Sequence, residues 1–267
     1  MRRTVASPHW PRLPAPVRGL VRAAVQGMEV HVRRLAGHAR NLFGVDLSPE
    51  QQRAFQTLAV ELIAWNRRVN LTAITEPEQI MTRHFLDSIS VLRAVTLQPG
   101  QRVIDVGSGA GFPGLPLRIV CPKIALTCLE ATGKKADFIR HVSQQLGLHD
   151  VVVLHGRAEE IGQQAEHREQ YDVALARAVA QMNVLAEYLL PLLRIGGRMV
   201  ALKGESAAQE VSEAQGALRL LGGEMRRLIP VELPEVAETH YLVLIEKVAA
   251  SPAQYPRRPG VPKHKPL

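Results

Sequence analysis

The chain reads Val103-Ile104-Asp105-Val106-Gly107-Ser108-Gly109-Ala110-Gly111-Phe112-Pro113-Gly114 at the point that decides its fold. This stretch begins as an apolar strand, breaks at glycines and restarts as a helix, and Pro113 suits the first helical turn, where its missing N–H costs nothing. Glycines let a ligand approach the backbone closely, and the helix that follows presents free N–H groups. The sequence therefore predicts a site for a polar or anionic nucleotide-like ligand, in preference to a tight turn without a ligand.

Two classes of cofactor fit this glycine turn. Gly109, Gly111 and Gly114 match the dinucleotide pattern G-x-G-x-x-G, and Glu130 lies at the spacing of a ribose-binding acid. The alternative begins at Asp105. An acid inside the strand, two residues before the first glycine, is typical of class I S-adenosylmethionine (SAM) methyltransferases, which this stretch resembles. We favour SAM and keep a nicotinamide cofactor as the alternative.

Positive charge is concentrated at the two ends of the 267-residue chain. Eight arginines against Glu29 alone give residues 1–45 a charge of +7, and residues 251–267 carry four basic residues and no acid. Since the whole chain has a net charge of +8, the body between these ends carries −3. Basic ends on a nearly neutral body indicate an anionic polymer as partner, most often a nucleic acid. Solvated tails that aid solubility are the alternative.

The composition is that of an ordinary globular protein, with 46% hydrophobic and 22% charged residues. Apolar runs are short and interrupted, so we expect no membrane span. Cys121 and Cys128 fit neither a disulfide framework nor a metal-ligand pattern. We interpret both as core residues of a cytoplasmic protein that uses no metal, and we expect a monomer.

We predict four segments along the chain. Residues 1–32 are Arg-rich with early prolines, and we expect a basic extension with little ordered structure. An organellar transit peptide and a true start at Met28 are alternatives. Residues 33–97 are predicted to form a helical cap that contains a Ser-Pro-Glu-Gln capping box. Residues 98–250 are predicted to form the SAM-binding domain and residues 251–267 a basic tail.

Strand and helix patterns alternate from about residue 98 onward. The apolar runs predict strands at 102–107, 125–130, 151–155, 171–176, 198–203, 225–231 and 240–247. Such alternation implies a parallel sheet covered by helices on both faces. The last two strands are joined by a short link without a helix, so they pair antiparallel. We therefore predict an α/β fold, the Rossmann-like seven-stranded sheet of class I SAM-dependent methyltransferases with its last strand antiparallel and an N-terminal helical cap.

Several motifs follow one another in the order of one known family. They are, around the glycine turn and its continuation Leu115-Pro116, the stretches Trp65-Asn66, Asn70-Leu71-Thr72-Ala73, Arg83-His84-Phe85-Leu86-Asp87-Ser88, Gly156-Arg157-Ala158-Glu159-Glu160, Arg177-Ala178, Lys203-Gly204, Tyr255-Pro256-Arg257-Arg258-Pro259-Gly260 and Lys265-Pro266-Leu267. Over about residues 35–267 the chain resembles the bacterial RsmG, or glucose-inhibited division protein B, family of small-subunit ribosomal RNA guanine-N7 methyltransferases. It departs from the family pattern at Glu130, where aspartate is common, at Ala176, where serine is usual, and in the N-terminal extension.

The resemblance implies that the chain methylates N7 of a guanine in 16S rRNA, as free RNA or in the small ribosomal subunit, with SAM as methyl donor. Gly107, Ser108 and Gly109 are then expected to pass under the amino-acid part of SAM. Asp105 orients that turn or meets the ammonium group through water. Glu130 is expected to accept both ribose hydroxyls, since a carboxylate has two acceptor oxygens.

The other expected cofactor contacts come from neighbouring strand ends. Ala158 and Glu159 follow the third strand, where the adenine is expected, although Glu159 also suits a helix N-terminus on its own. Phe112 packs against the cofactor or simply holds the glycine turn. Arg177 belongs to the cofactor site because the matching residue of the family does.

Transfer to guanine N7 requires in-line placement and exclusion of water, because N7 has a lone pair and no proton to lose. No general base is therefore expected. Arg177 and Lys203, at the ends of the fourth and fifth strands, are the predicted catalytic residues, as donors to guanine O6. A bidentate arginine is a common way to hold guanine. A solvated strand-end lysine is the alternative for Lys203.

Eight residues are predicted to contact RNA. They are Asn66, Asn70, Arg83 and His84 in the cap and Arg257, Arg258, Lys263 and Lys265 in the tail. A structural or surface histidine is the alternative for His84. Phosphate contacts by the tail would weaken with salt.

Three other functions stay open at this point. One is a small-molecule methyltransferase of the same fold, which the basic ends disfavour. Another is an NAD-dependent oxidoreductase that uses the dinucleotide pattern. The third is a basic RNA-binding or assembly factor with a degenerate SAM pocket.

Overall fold

The computed structural model describes the backbone of residues 15–267 and the side chains from residue 27 onward. Within these residues seven strands form one sheet, in the spatial order β3-β2-β1-β4-β5-β7-β6. The strands are β1 Arg102–Val106, β2 Ala125–Glu130, β3 Val152–His155, β4 Tyr171–Arg177, β5 Leu193–Lys203, β6 Gly223–Val231 and β7 His240–Lys247. Strand β7 is antiparallel to both of its neighbours, and the other pairs are parallel. The predicted α/β fold with an antiparallel last strand is confirmed.

Helices cover both faces of this sheet. The cap consists of α1 Ala15–Phe43, α2 Pro49–Asn66 and α3, a helical segment over residues 77–93. The remaining helices are α4 Gly114–Val120, α5 Gly133–Gln145, α6 Ala158–Ile161, α7 Met182–Leu189, α8 Ala207–Glu213, α9 Gln215–Leu220 and α10 Val261–His264. None of the helices that the structure describes is long and apolar enough to cross a membrane.

Alternate residues of β1 point to opposite faces of the sheet, as a strand requires. Val103 belongs to the buried cluster that includes the cap, whereas Ile104 belongs to the cluster under α7, α8 and α9. Both faces are therefore apolar, which explains why the strands read as continuous apolar runs.

Helix α1 begins well before the predicted boundary at residue 32. It is helical from Ala15, and Met28, Val32, Leu35 and Ala39 are all at most 3% exposed. Their spacing of four, three and four residues places them on one face of a helix. The prediction of little order up to residue 32 is wrong for residues 15–32, because arginine content concealed this apolar stripe. The first 14 residues of the predicted extension lie outside the described residues.

The predicted capping box at the start of α2 is confirmed. The Ser48 hydroxyl accepts a hydrogen bond from the Gln51 backbone N–H at 3.3 Å, and the Gln51 side-chain oxygen accepts one from the Ser48 N–H at 2.8 Å. Two of the unpaired donors of the first turn are satisfied in this way.

Aromatic packing joins the cap to the glycine turn. Phe85 of α3 lies 5.2 Å from Phe55 of α2 and 5.8 Å from Phe112 of the turn, measured between ring centroids. All three rings are at most 4% exposed. The position of the turn relative to the cap therefore depends on Phe85.

We predict that Phe85→Ala lowers the free energy of unfolding by about 3–5 kcal/mol, because it leaves a cavity between cap and sheet. Urea denaturation measures this change. Leu220→Ala is the matched control, since Leu220 is 43% exposed. A loss below about 1 kcal/mol in Phe85→Ala would mean that the cap does not depend on this contact.

Candidate active site

A cavity of about 440 Å³ opens at the carboxyl ends of β1 to β4, and we call it the strand-end cavity. Its volume falls within the range of small-molecule sites, about 300–1,000 Å³. The lining residues are Val106, Gly107, Leu129, Ala131, Gly156, Arg157, Ala158, Glu159, Val179, Ala180, Gln181, Val184, Tyr188, Lys263 and Pro266. The carboxyl edge of a parallel sheet is the usual place for a ligand in this fold.

The glycine turn forms one wall of the strand-end cavity. Gly107 has a φ of +70°, and a Cβ added there would lie 2.6 Å from Cγ2 of Val179. Both the backbone conformation and the space therefore require glycine. The Ser108 hydroxyl donates to the Asp105 carbonyl at 2.8 Å, so this side chain holds the turn and does not face the cavity.

Asp105 lies fully buried behind the turn. One carboxylate oxygen, Oδ2, accepts the Gly114 backbone N–H at 2.9 Å and so ties β1 to the start of α4. The other, Oδ1, has no hydrogen-bond partner within the described residues. Burial raises the pKa of Asp105 to about 7. Of its two predicted roles, the geometry matches orientation of the turn.

Glu130, at the end of β2, binds two backbone groups. Its Oε2 accepts the Gly109 N–H at 2.8 Å, and its Oε1 accepts the Thr132 N–H at 2.7 Å. A carboxylate has about four lone-pair sites, so each oxygen keeps one for a further donor. Glu130 thus joins the loops that follow β1 and β2, beside the strand-end cavity.

The C-terminal tail closes one side of the strand-end cavity. Glu159, which lines the cavity and is 5% exposed, accepts the Gly260 backbone N–H at 3.0 Å. Burial and the neighbouring Glu159 raise the pKa of Tyr188, also in the lining, to about 12. Lys263 and Pro266 of the tail complete this wall. Lys263 therefore lies at the candidate ligand cavity, although we predicted it as an RNA contact.

Arg257 fixes the tail to the body of the protein. Its guanidinium and backbone N–H donate to the fully buried carboxylate of Glu187 at distances of 2.6–3.1 Å. This hydrogen bond raises the pKa of Arg257 further. The predicted phosphate contact of Arg257 does not agree with this geometry, because phosphate would have to displace a buried partner. Neighbouring Arg258 and Lys265 are exposed and suit such a contact.

A second cavity, of about 390 Å³, lies between the sheet and the cap, and we call it the cap cavity. Its lining residues are Ile74, Arg83, His84, Asp87, Arg177, Ala178, Leu202, Lys203, Gly204, Glu210 and His240. Arg177 and Ala178 line the cap cavity, and the next two residues, Val179 and Ala180, line the strand-end cavity. The segment 177–180 therefore passes from the wall of one cavity to the wall of the other.

Arg177 is bound on three sides by the cap. Its Nη1 donates to the Asp87 carboxylate and to the Arg83 carbonyl, both at 3.0 Å. Its Nη2 donates to Nδ1 of His84 at 3.2 Å. Three of the five N–H donors of Arg177 are engaged in this way, and its predicted bidentate contact with guanine stays a prediction that depends on the other two. The observed contacts fix the end of β4 against α3.

His84 is a neutral member of this network. Arg177 can only donate, so Nδ1 of His84 accepts, and the remaining proton lies on Nε2, which donates to the Thr72 hydroxyl at 2.9 Å. Burial, followed by the charge of Arg177, lowers the pKa of His84 to about 3. Its ring stacks on Phe112 with centroids 4.7 Å apart. Phe112 therefore holds the glycine turn, which was one of its two predicted roles.

His240, which the sequence analysis did not select, completes the network. Its Nδ1 lies 3.0 Å from Oδ1 of Asp87, and this hydrogen bond raises the pKa of His240. Burial alone would raise the pKa of Asp87, but the contacts with His240 and Arg177 outweigh it and lower that pKa. Since β7 is antiparallel, its first residue lies at the carboxyl edge of β5, where Lys203 pairs with Tyr241. The position of His240 at the start of the antiparallel last strand was the signal by which the sequence could have identified it.

Lys203 lies at the junction of the two cavities. Its ammonium group donates to the Ala180 carbonyl at 2.8 Å and lies 2.5 Å from the Glu210 carboxylate. These contacts fix the segment 177–180, so the side chain is not the solvated lysine of the alternative interpretation.

The remaining predicted cap residues have different surroundings. The Asn66 side chain accepts the N–H groups of Leu71 and Thr72 at 2.8 and 3.0 Å, so it stabilises the loop and is not presented to RNA. Asn70 is exposed on that loop. Arg83 lines the cap cavity and lies 3.4 Å from the Glu238 carboxylate. Residues 27–267 contain no group of three or more metal-ligating side chains that could hold a metal ion.

We predict that Asp105→Asn changes how stability depends on pH. The pKa of this aspartate rises from 3.8 to about 7 on folding, so the folded chain retains a proton that the unfolded chain loses between these values. Its contribution to the free energy of unfolding therefore falls as the pH rises from about 4 to 7, by up to about 1.4 kcal/mol per unit.

Denaturation at several pH values tests this prediction. The stability of Asp105→Asn relative to the unsubstituted protein is expected to increase across that window and to level off above pH 7. A difference that stays constant from pH 4 to 9 would contradict the raised pKa.

The adjacent arginines Arg257 and Arg258 allow a matched comparison of the tail. We predict that Arg257→Ala lowers the free energy of unfolding by about 3 kcal/mol, since it leaves the buried Glu187 charge without its partner. Arg258→Ala removes the same charge from an exposed side chain and is expected to change stability by less than about 0.5 kcal/mol. Equal effects in the two variants, measured by urea denaturation, would contradict the structural role of Arg257.

Comparison with known proteins identifies the family. The sequence model of the family described as rRNA small subunit methyltransferase G matches residues 51–234. Proteins named ribosomal RNA small subunit methyltransferase G are similar over most of the chain. The one from Alkaliphilus metalliredigens is 46% identical over 84% of this chain and 94% of its own length.

Two further relatives carry the same name. The protein from Chloroflexus aggregans is 48% identical over 90% of this chain and 100% of its own length. The protein from Roseiflexus castenholzii is 49% identical over 84% of this chain and 95% of its own length. The chain therefore belongs to the rRNA small subunit methyltransferase G family.

Proposed function

We propose that the chain transfers a methyl group from SAM to N7 of a guanine in 16S rRNA. The observation that supports this proposal is a pair of neighbouring cavities. One lies at the glycine turn on the strand ends and is lined by Val179 and Ala180, and the other lies between the sheet and the cap and is lined by Arg177 and Ala178. A donor in the first and a base in the second would meet at residues 177–180. Membership of the rRNA methyltransferase family supports the same reaction.

The residues around the strand-end cavity fit SAM. The backbone at Gly107 approaches the cavity without a side chain, and the buried Asp105 holds this turn from behind through the Gly114 N–H. Glu130 retains acceptor capacity for a ribose diol. Ala158 and Glu159 are in the lining on the side of β3 and suit the adenine. When bound, SAM supplies an electrophilic methyl group attached to a sulfonium.

The cap cavity suits a reaction that needs no general base. Both ring nitrogens of His84 are engaged, and Asp87 binds Arg177 and His240. A guanine N7 needs orientation and exclusion of water, because its lone pair is already available. Arg177 and Lys203 contribute by fixing the segment 177–180 on both sides. An oxygen or amine of a small molecule would ordinarily have to lose a proton. His84 offers no free nitrogen for it, and Asp87 favours the protonated form of His240, which cannot accept one.

RNA is proposed to approach along exposed basic and polar side chains near the two cavities. Asn70, Arg258 and Lys265 are exposed, and Arg83 lies at the cap cavity. Each phosphate neutralised adds about 0.7 to the slope of log affinity against log salt for single-stranded RNA. Binding to the small ribosomal subunit is therefore expected to weaken as salt rises, and Arg258→Ala is expected to reduce this slope by less than one unit.

The central test is transfer of labelled methyl from SAM to small ribosomal subunits isolated from cells that lack this protein, followed by nucleoside mass spectrometry. We expect 7-methylguanosine. Gly107→Ala is predicted to lose transfer by at least about 100-fold, because its Cβ has no space beside Val179. Gly100→Ala is the matched control, since Gly100 also has a positive φ of +82° but no neighbour within 4 Å of the added Cβ.

Other outcomes would favour other functions. SAM binding without transfer to particles or free RNA would favour a small-molecule methyltransferase. RNA binding that persists in Gly107→Ala, without transfer by either protein, would favour an assembly factor. Nicotinamide binding in place of SAM would favour the dinucleotide interpretation of the glycine turn.

A further inference from the structure

We propose that His240 recognises the oxygen at position 6 of the target purine and so selects guanine over adenine. This inference rests on the proposed function and adds a residue to which we had assigned no role. His240 lies at the start of β7, in the wall of the cap cavity. Arg177 and Ala178 line the same cavity.

The hydrogen bond to Asp87 decides what the other nitrogen of His240 can do. Nδ1 of His240 lies 3.0 Å from Oδ1 of the buried Asp87. Asp87 also binds Arg177 at 3.0 Å, so its carboxylate is ionised and can only accept. Nδ1 must therefore carry a proton. It follows that Nε2 is a donor when His240 is protonated and an acceptor when His240 is neutral.

The cations on the strand side of the cap cavity already make several contacts within the part of the chain that the structure describes. Arg177 donates to the cap at three positions, and Lys203 contacts Ala180 and Glu210. His240 makes one hydrogen bond there, through Nδ1, which leaves Nε2 for a ligand. His240 can therefore bind a base through this ring nitrogen without breaking a contact.

The charged groups around His240 favour its protonated form. Asp87 of α3 and Glu238, just before β7, both favour the cation, and the hydrogen bond to Asp87 is the largest cause of the raised pKa. Burial and the charge of Arg83 oppose it. Glu238 is itself paired with Arg83, with 3.4 Å between the guanidinium and the carboxylate. The opposite charges of this pair balance each other on this side of His240.

The strand side of the cap cavity carries further groups. Arg177 is neutralised by Asp87, Lys203 by Glu210, and His84 is neutral. Since the strand cations are paired, the net surroundings favour the protonated form of His240, in which Nε2 is a donor.

A donor at this position discriminates between the purines. Guanine presents an acceptor, O6, where adenine presents the N6 amino group, a donor. Protonated His240 would pair with O6, while an amino group there would leave two donors facing each other. O6 is also adjacent to N7, so a contact to O6 positions N7 without occupying it.

Two variants test the two ring nitrogens of His240 independently. In His240→Asn the side-chain amide takes the place of Nδ1 and retains a donor to Asp87, but nothing replaces Nε2. In His240→Gln the amide reaches the place of Nε2 and offers an uncharged donor to the cavity. The substrate is small ribosomal subunits from cells that lack this protein, and kcat/KM is measured from pH 6.5 to 8.5, together with SAM binding and stability.

We expect the unsubstituted protein to lose kcat/KM as the pH rises, because deprotonation of His240 converts Nε2 from a donor to an acceptor. His240→Asn is expected to be about 10- to 100-fold slower at pH 6.5, with SAM affinity changed by less than twofold. Its rate is expected not to follow that pH dependence. His240→Gln is expected to recover part of the rate without the pH dependence.

Three results would overturn the inference. They are a His240→Asn rate within threefold of the unsubstituted protein, a pH profile shared by the protein and His240→Asn, and a His240→Gln variant no faster than His240→Asn although both bind SAM and are equally stable. Failure of the proposed function is distinguishable, because the unsubstituted protein would then form no 7-methylguanosine at any pH.

Discussion

The guanidinium of Arg177 is the contact on which the two cavities depend. It joins the end of β4 to the cap through the Asp87 carboxylate, the Arg83 carbonyl and His84. Without these bonds the segment that follows would be held only on its other side, by the contact of Lys203 with the Ala180 carbonyl. Arginine suits the role because its donors form a rigid planar fork, whereas the ammonium group of lysine is a compact charge at the end of a flexible chain.

Burial of the polar groups of this network is unfavourable by itself, and the hydrogen bonds of Asp87 and His84 offset it. Asp87 is 3% exposed but has a cation on each oxygen, and His84 is neutral with both nitrogens hydrogen-bonded. Partial loss would leave a buried group without its partner, which is far more unfavourable than loss of a surface contact. The network therefore acts as one unit, and it leaves few orientations for a base that enters the cap cavity.

Much of the fold could be predicted from local pattern. The glycine turn, the succession of strands along the chain and the antiparallel last pair follow from apolar runs and link lengths. Strand β5 begins earlier than predicted, because it continues through an irregularity at Gly196, where φ is +82° and the register against β4 shifts. The N-terminal helix was missed because arginines concealed the stripe that begins at Met28.

The site was less predictable than the fold, since charge alone does not identify a partner. Arg257 and Arg258 are equivalent in sequence, yet one binds the buried Glu187 and the other is exposed. Asn66 suits RNA in a motif but satisfies its own loop. His240 is distant in sequence from the cap residues, and only the antiparallel register of β7 brings it beside Asp87. The pairings of Arg257 and His240 join residues that are 70 and 153 positions apart in the chain, which no local pattern contains.

The most direct measurement is a crystal structure of the protein with S-adenosylhomocysteine and guanosine 5′-monophosphate. The two-cavity account predicts the cofactor product in the strand-end cavity and the guanine in the cap cavity, with N7 facing the sulfur across residues 177–180. A guanine bound outside the cap cavity, or a cofactor product within it, would contradict the account.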